Sequence, residues 1–533
     1  MNREKLERLP EYVLSTVTIL LGIAFALYAG SSLGKGEFKF VLVVVVAIPL
    51  VLAAVHFRTR LWLLIPLVSG IGGYIVSLPL GLPPRSLITL YVFAAFLAFK
   101  ALKISRTKPP LEVLDMIVLV NLLYMVSVFA RNPVGALGMG SERIGGRPYF
   151  QVAIAYFGYW VLSRVTLSSK TASKLPVLML ITPFFDGFAG FLGDKFPQIA
   201  QPLGGIYSSF ATFEMQNPYG APPGDELNVV EGSRLAYLSP PGAALGRCLV
   251  SYFNPITLIN PLYIGRFLLF LISVVFLLSA GYRSAFASMA YAMALGAYFR
   301  DGFRQVFTAA LLLVPVILVL VLGQGILFNL PIAAQRTLSF LPGRWNEDAV
   351  LAAQGSTLWR MDMWKDALTT DRYIHNKILG DGFGVEREVW EAVQEGKARG
   401  ITQALQAEEQ AIMGGFHNGP ISAIRIVGYV GMILYGVLLC AVAHKAWVLI
   451  RLAKNTPFFP FALFVGIPIL ITASTYFIGG GNFDPDFEQT ILGAGMMKLL
   501  GASLAVEESV ISVPKESPRL ITTRSIIPFT AKH

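Results

Sequence analysis

Three residues of this chain have types and placements suited to chemistry: Arg283 in "LLSAGYRSAFAS", Arg360 in "LWRMDMW", and His417 in "GGFHNGPISAIRIVGYVG". Arg283 closes one apolar run and opens the next, with no acidic residue within fifteen positions on either side. A charged residue at the centre of a bilayer costs ~2.5 to 3.5 kcal/mol, less near an interface, so such an arginine either snorkels to lipid headgroups or holds an anion. Arg360 has Asp362 and Asp366 nearby in sequence as ion-pair partners. Alternatively, two arginines together grip a diphosphate, because the planar fork of donors matches phosphate oxygens in a way a lysine does not.

A histidine near its unperturbed pKa takes a proton from a hydroxyl at neutral pH, help typically amounting to ~10² to 10⁴ in rate. His417 stands where a polar stretch turns apolar. His375, in "RYIHNKILGDGFG", repeats the His-Asn doublet and is its rival; His56 and His444 flank basic turns, and His533 ends the chain. For any of them, a purely structural hydrogen-bonding role is the plain alternative. Asp484 and Asp486, in "GNFDPDFEQ", have the spacing of a metal-binding carboxylate pair but read as a solvated turn.

The elements that must position these residues are membrane helices. The chain has 533 residues, 55% hydrophobic and 14% charged, with mean hydropathy +0.62, a mixture that excludes soluble domains with a charged surface. The net charge of +11 resides largely in short connections and reads as a topology signal rather than as a nucleic-acid surface. Cys248 and Cys440 lie far apart in apolar surroundings and give no disulfide framework. Crossing ~30 Å of hydrocarbon takes ~20 apolar residues in a helix, and candidates fall at 12–30, 39–55, 61–79, 86–102, 112–130, 149–163, 174–192, 263–281, 284–299, 306–328, 421–443, 457–478 and 488–505. Placing the basic connections at 56–60, 100–108, 163–174, 299–304 and 444–454 in the cytoplasm requires one more crossing, and 235–259 is the sole candidate, though Pro240, Pro241, Arg247 and Pro255 make it a poor free helix. The fold class is therefore an all-α polytopic membrane protein of about fourteen transmembrane helices. Residues 1–328 and 421–506 form the bundle, 329–420 an extracytoplasmic helical subdomain, and 507–533 a disordered cytoplasmic tail. In the subdomain, 356–368 spaces Leu358, Met361, Trp364 and Leu368 on a helical period, and 388–413 reads as one or two amphipathic helices.

The order of four elements resembles the O-antigen ligase family, a group of membrane glycosyltransferases that includes related polysaccharide polymerases. These are "AGYRS", then "QRTLSFLPG" with "WRMDMWKDAL", then "ILGDGFG", then "HNGPISAIRIVGYVGMILYGVLL". The resemblance covers about 260–445, roughly a third of the chain. It departs from the usual pattern where Tyr282 precedes the first arginine and Ser284 follows it, and where Gly419 and Pro420 follow the His-Asn doublet.

What the resemblance implies is a GT-C-like fold in the cytoplasmic membrane of a bacterium, with a site facing the exterior. There a glycan passes, with inversion, from a polyprenyl diphosphate carrier to an acceptor hydroxyl on a lipid or polysaccharide. His417 would be the base, Arg283 and Arg360 the diphosphate ligands, and Asn418, Arg336 and Trp364 supporting residues; no metal or other cofactor is expected. The alternatives are a repeat-unit polymerase of the same family or a lipid or polysaccharide transporter. Against transport, the spans at 263–281 and 306–328 carry almost no ionisable groups.

Overall fold

The computed structural model describes residues 49–76, 81–102, 111–135, 143–210, 234–398, 408–477 and 481–512. The chain divides into two compact units, Met1–Leu63 and Leu64–His533. In the first, a helix at Pro49–Phe57 leads into the 3₁₀ turn Arg58–Leu63. The expected span at 12–30, most of 39–55, and the tail from 513 onward lie outside the described residues.

The second unit is a helical assembly, in chain order α1 (Pro84–Ala101), α2 (Val113–Arg131), α3 (Arg147–Leu162), α4 (Ile181–Lys195), α5 (Ser239–Tyr252), α6 (Ile264–Ala280), α7 (Arg283–Asp301), α8 (Phe303–Gly323), α9 (Ile332–Leu338), α10 (Glu347–Thr369), α11 (Arg387–Ala398), α12 (Gly419–Ala453), α13 (Phe459–Thr475) and α14 (Phe483–Ser512). Six described helices are long and apolar enough to cross a membrane: α1, α2, Leu175–Lys195, α8, α12 and α14 up to Glu507. Two shorter ones, α6 and α13, are also apolar. On α8, Leu311, Val314, Leu318 and Val319 are all exposed, a composition suited to hydrocarbon and not to water. The protein is an all-α membrane protein. Its one described sheet is two residues per strand, β1 (Arg143–Ile144) antiparallel to β2 (Val385–Glu386).

Two expected spans are corrected. Residues 61–79 do not make one helix: after Leu64–Val68 the chain turns through Gly70, Gly72 and Gly73, where the Gly72 amide donates to the Asp186 carboxylate at 2.6 Å and Gly73 takes φ 61°. In α12 the helix breaks at Gly428 (φ 70°, ψ 179°). Its freed backbone groups are taken up by the loop 377–382: Asp381 and Gly382 amides donate to Arg425 and Ile426 carbonyls, and Tyr429 and Val430 amides donate to Lys377 and Ile378 carbonyls, all at 2.9–3.2 Å. A Cβ on Gly428 would stand 2.2 Å from the Ile378 carbonyl oxygen. Irregular backbone at a span is tolerated where protein encloses it, and the stretch from Ile421 to Gly428 is buried. Arg425 within it donates to the Gly382 carbonyl at 3.0 Å and lies 3.8 Å from Asp381.

The two ends of the bundle differ chemically. At one end Arg300, near the end of α7, donates to Val250 and Ser251 carbonyls at the end of α5, and Lys454 reaches the Arg300 carbonyl. At the other end the Leu235 amide donates to Ser279, next to the start of α7. So α5 runs from one end toward the other as a short helix packed against α4, α6 and α13. Three of the basic connections, 163–174, 299–304 and 444–454, meet at the Arg300 end, and Arg283, seventeen residues along the helix from Arg300, stands about 26 Å off at 1.5 Å per residue.

Candidate active site

Arg283 is presented by a corner. Helix α6 ends at Gly281 in the left-handed conformation (φ 72°), Tyr282 is extended, and Arg283 opens α7. Its Nη2 donates to the Ala353 carbonyl at 3.1 Å and the Thr357 hydroxyl at 3.3 Å, both on α10. That helix starts on Asn346, whose side chain accepts from the amides of Asp348 and Ala349, with Glu347 and Asp348 in its first turn. It buries Ala349, Ala353, Met363 and Ala367, and leaves Leu351, Leu358, Met361 and Leu368 exposed. The residues expected on a helical period, Leu358, Met361 and Leu368, face outward; small alanines let the opposite face approach the protein.

Arg360 lies half-buried on the same helix, its Nε buried without a hydrogen-bond partner. Burial, then the positive charges of Arg283 and Arg234, hold its guanidinium below the usual arginine range. Among the described residues no carboxylate pairs with it. Asp366 instead lies 3.7 Å from Arg372, which is paired with Glu408 at 2.7 Å. Arg234 arrives from the segment before α5, its guanidinium 5.8 Å from the Tyr282 ring. Three arginines therefore share one positive region.

His417 sits on the turn into α12. A small core of Met363, Ala367, Ile374, Ala411, Phe416, Ile421 and Ile424 clamps that turn to α10. Trp364 donates its indole N–H to the Phe416 carbonyl at 2.6 Å, and the Trp359 ring stands 6.4 Å from the imidazole. His417 adopts φ 51°, a conformation uncommon outside glycine and often found where surrounding contacts over-determine the backbone. Its amide donates to the Asn482 side chain at 3.1 Å, and Nε2 lies 3.3 Å from Gln410 Oε1. Burial, followed by the Arg360 charge, lowers the imidazole pKa from its ordinary value, so the ring is neutral at pH 7 and able to accept a proton.

The remaining expected residues have other surroundings. Asn418 caps α12, its Oδ1 accepting from the Ile421 amide at 3.2 Å; the imidazole is contacted by Gln410 instead. Arg336 is buried on α9, which packs against α6, α7 and α10, with an unpartnered Nε. His375 is 76% exposed, with Nδ1 3.7 Å from Asp381, and its doublet serves a turn in which the His375 and Asn376 amides both donate to the Asp381 carboxylate at 2.9 Å. Asp484 and Asp486 are not on a solvated turn: they occupy the first turn of α14, where Asp486 accepts from the Asn482 amide at 3.0 Å.

A cleft of about 580 Å³ runs along α10, lined among others by Asp362, Asp366, Arg372, Tyr373, Glu408 and Trp359, the last of which also faces the imidazole. Sequence reasoning missed Arg234, Gln410 and Asn482. Arg234 has a usable signal, an arginine just ahead of a proline-rich apolar stretch, whereas the other two carry none. Compared with protein-family models and with curated proteins, the chain matches none.

Proposed function

We propose that this protein is a membrane glycosyltransferase that moves a glycan from a polyprenyl diphosphate carrier to an acceptor hydroxyl. The observation that carries this reading is that Arg283, Arg360 and His417, half-buried on three separate elements, lie close enough for Arg283 to act electrostatically on Arg360 and Arg360 on His417. In the proposed step the acceptor oxygen forms a bond to the anomeric carbon as the bond from that carbon to the phosphate oxygen breaks. His417 takes the hydroxyl proton, and the diphosphate leaves with its charge neutralised by the arginines, so inversion results. The anionic donor would also cancel part of the charge that depresses the histidine, making it a stronger base once the donor is bound. Polar and aromatic side chains in the cleft along α10 suit a saccharide, whose rings offer both hydroxyls and apolar faces.

A fourteen-span, GT-C-like arrangement with the site on the exterior face of a bacterial cytoplasmic membrane completes the proposal. Two features support that orientation: three basic connections, 163–174, 299–304 and 444–454, meet at the opposite end, and α10 turns an apolar stripe outward, as a helix lying on a membrane surface does. The test is product formation from a purified lipid-linked glycan by wild type, His417→Ala and His375→Ala. Transfer that survives the first substitution and is lost with the second would overturn the assignment.

A further inference from the structure

A second cavity, of about 370 Å³, lies among α1, α4, α5, α12, α13, α14 and the Gly70–Gly72 turn. Its volume is that of a small-ligand site, and its charges are unevenly settled. Arg85 and Glu488 close a two-pronged pair, Nε to Oε1 at 3.0 Å and Nη2 to Oε2 at 2.9 Å. The Asp186 carboxylate accepts from the Gly72 amide at 2.6 Å, the Tyr207 hydroxyl at 2.8 Å and the Ser209 hydroxyl at 2.9 Å.

Arg247 is different. It is enclosed by protein yet keeps part of its surface open to the cavity. Its Nε donates to the Ala243 carbonyl at 3.3 Å and its guanidinium lies 5.6 Å from the Phe464 ring. Among the described residues it has no carboxylate partner, and its two terminal nitrogens make no hydrogen bond to protein. A buried, permanently charged fork without a counter-charge is a strong demand for an anion. Beyond it the cavity wall is apolar on α13, through Phe464, Val465 and Pro468, and polar on α14, through Gln489 and Thr490.

We propose that this cavity is a second anion site, in which Arg247 binds a phosphate group. Phosphate oxygens satisfy the fork bidentately, with Gln489 and Thr490 as neighbouring hydrogen-bonding groups and α13 as the surface for an attached apolar portion. The site is independent of the Arg283 cluster, and α14 links the two: its first turn holds Asn482 against His417, and Glu488 to Thr490 lie one to two turns further along.

The test uses the full chain carrying Arg234→Gln, Arg283→Gln and Arg360→Gln, which removes the three charges of the first cluster, in phosphatidylcholine nanodiscs. One arm follows the melting midpoint as inorganic phosphate is titrated. The other counts phosphatidylglycerol molecules retained, by native mass spectrometry, after reconstitution with that lipid. One saturable ligand is expected, water-borne if the first arm responds and lipid-borne if the second does. Adding Arg247→Gln should weaken it at least tenfold; should that variant fail to fold, Arg247→Lys keeps the charge without the fork and should weaken it about as much. Absence of any ligand in both arms, or undiminished binding in the Arg247 variant that folds, overturns the proposal.

Discussion

The two His-Asn doublets of this chain have the same letters, lie in the same polar stretch, and do different things. His375 and Asn376 lend their amides to Asp381 and leave an imidazole largely in solvent. His417 lends its amide to Asn482 and holds its imidazole half-buried beside Arg360, Trp359 and Gln410. What separates them is the neighbourhood: a histidine acquires a role from what excludes water around it and from which charges face it, and neither is written in a dipeptide.

The largest expected effect breaks the comparison outright. His417→Ala should lower kcat for glycan transfer by ~10² to 10⁴, the usual range for a lost general base, while His375→Ala, a substitution at an exposed site, should stay within about twofold. Equal losses would mean that the two doublets are not distinguished by enclosure. Next in size, Arg283→Lys keeps a charge but loses the planar fork, whose Nη2 donates to both Ala353 and Thr357. A drop in turnover of ~10² is expected, comparable with removing one charge-stabilising donor, and near-normal turnover would point to a lipid-snorkelling arginine instead. Smaller still, Trp364→Phe removes the hydrogen bond to the Phe416 carbonyl at a cost of about 1 kcal/mol. The turn that carries His417 should loosen, seen as a lower melting temperature with transfer reduced about tenfold or less.

The smallest effect is on pH dependence. Because burial and Arg360 depress the His417 pKa, the base form persists as pH falls, and kcat/KM should decline only below the ordinary histidine value of about 6.5. Removing the positive neighbour with Arg360→Gln raises that pKa, so the decline should begin at higher pH. An unmoved acid limb would detach the titration from His417.

Much of this architecture is legible in the residues, and the exceptions have physical causes. Apolar runs read well: α2, α6, α8 and α13 start and stop within a few residues of the expected spans, since hydrocarbon leaves a helix little choice. The failure at 61–79 lies with Gly70, Gly72 and Gly73, where an apolar run conceals a turn stabilised by an aspartate more than a hundred residues away. The break at Gly428 is equally hidden, because the groups that compensate it belong to 377–382. The three residues proposed to carry chemistry stand out by type and position, but their companions do not. Gln410 and Asn482 are ordinary polar residues until the fold sets them against His417. Likewise Arg336 and Arg360 look alike in sequence, and only the packing of α9 and α10 gives them different surroundings.

Helix α10 carries apolar side chains on two opposed flanks, alanines and Met363 toward the protein and Leu351, Leu358, Met361 and Leu368 away from it. A rod of this kind floats at the level where one flank meets the scaffold and the other meets acyl chains. Arg360, seven residues from both Ala353 and Ala367, rides on the protein-facing flank; under the proposed function its height would be set close to the plane of the lipid phosphates, where a carrier anchored by its isoprenoid tail would offer its own. On that proposal the helix would act as a depth gauge, and the carrier would not have to be lifted out of the bilayer to reach the arginines.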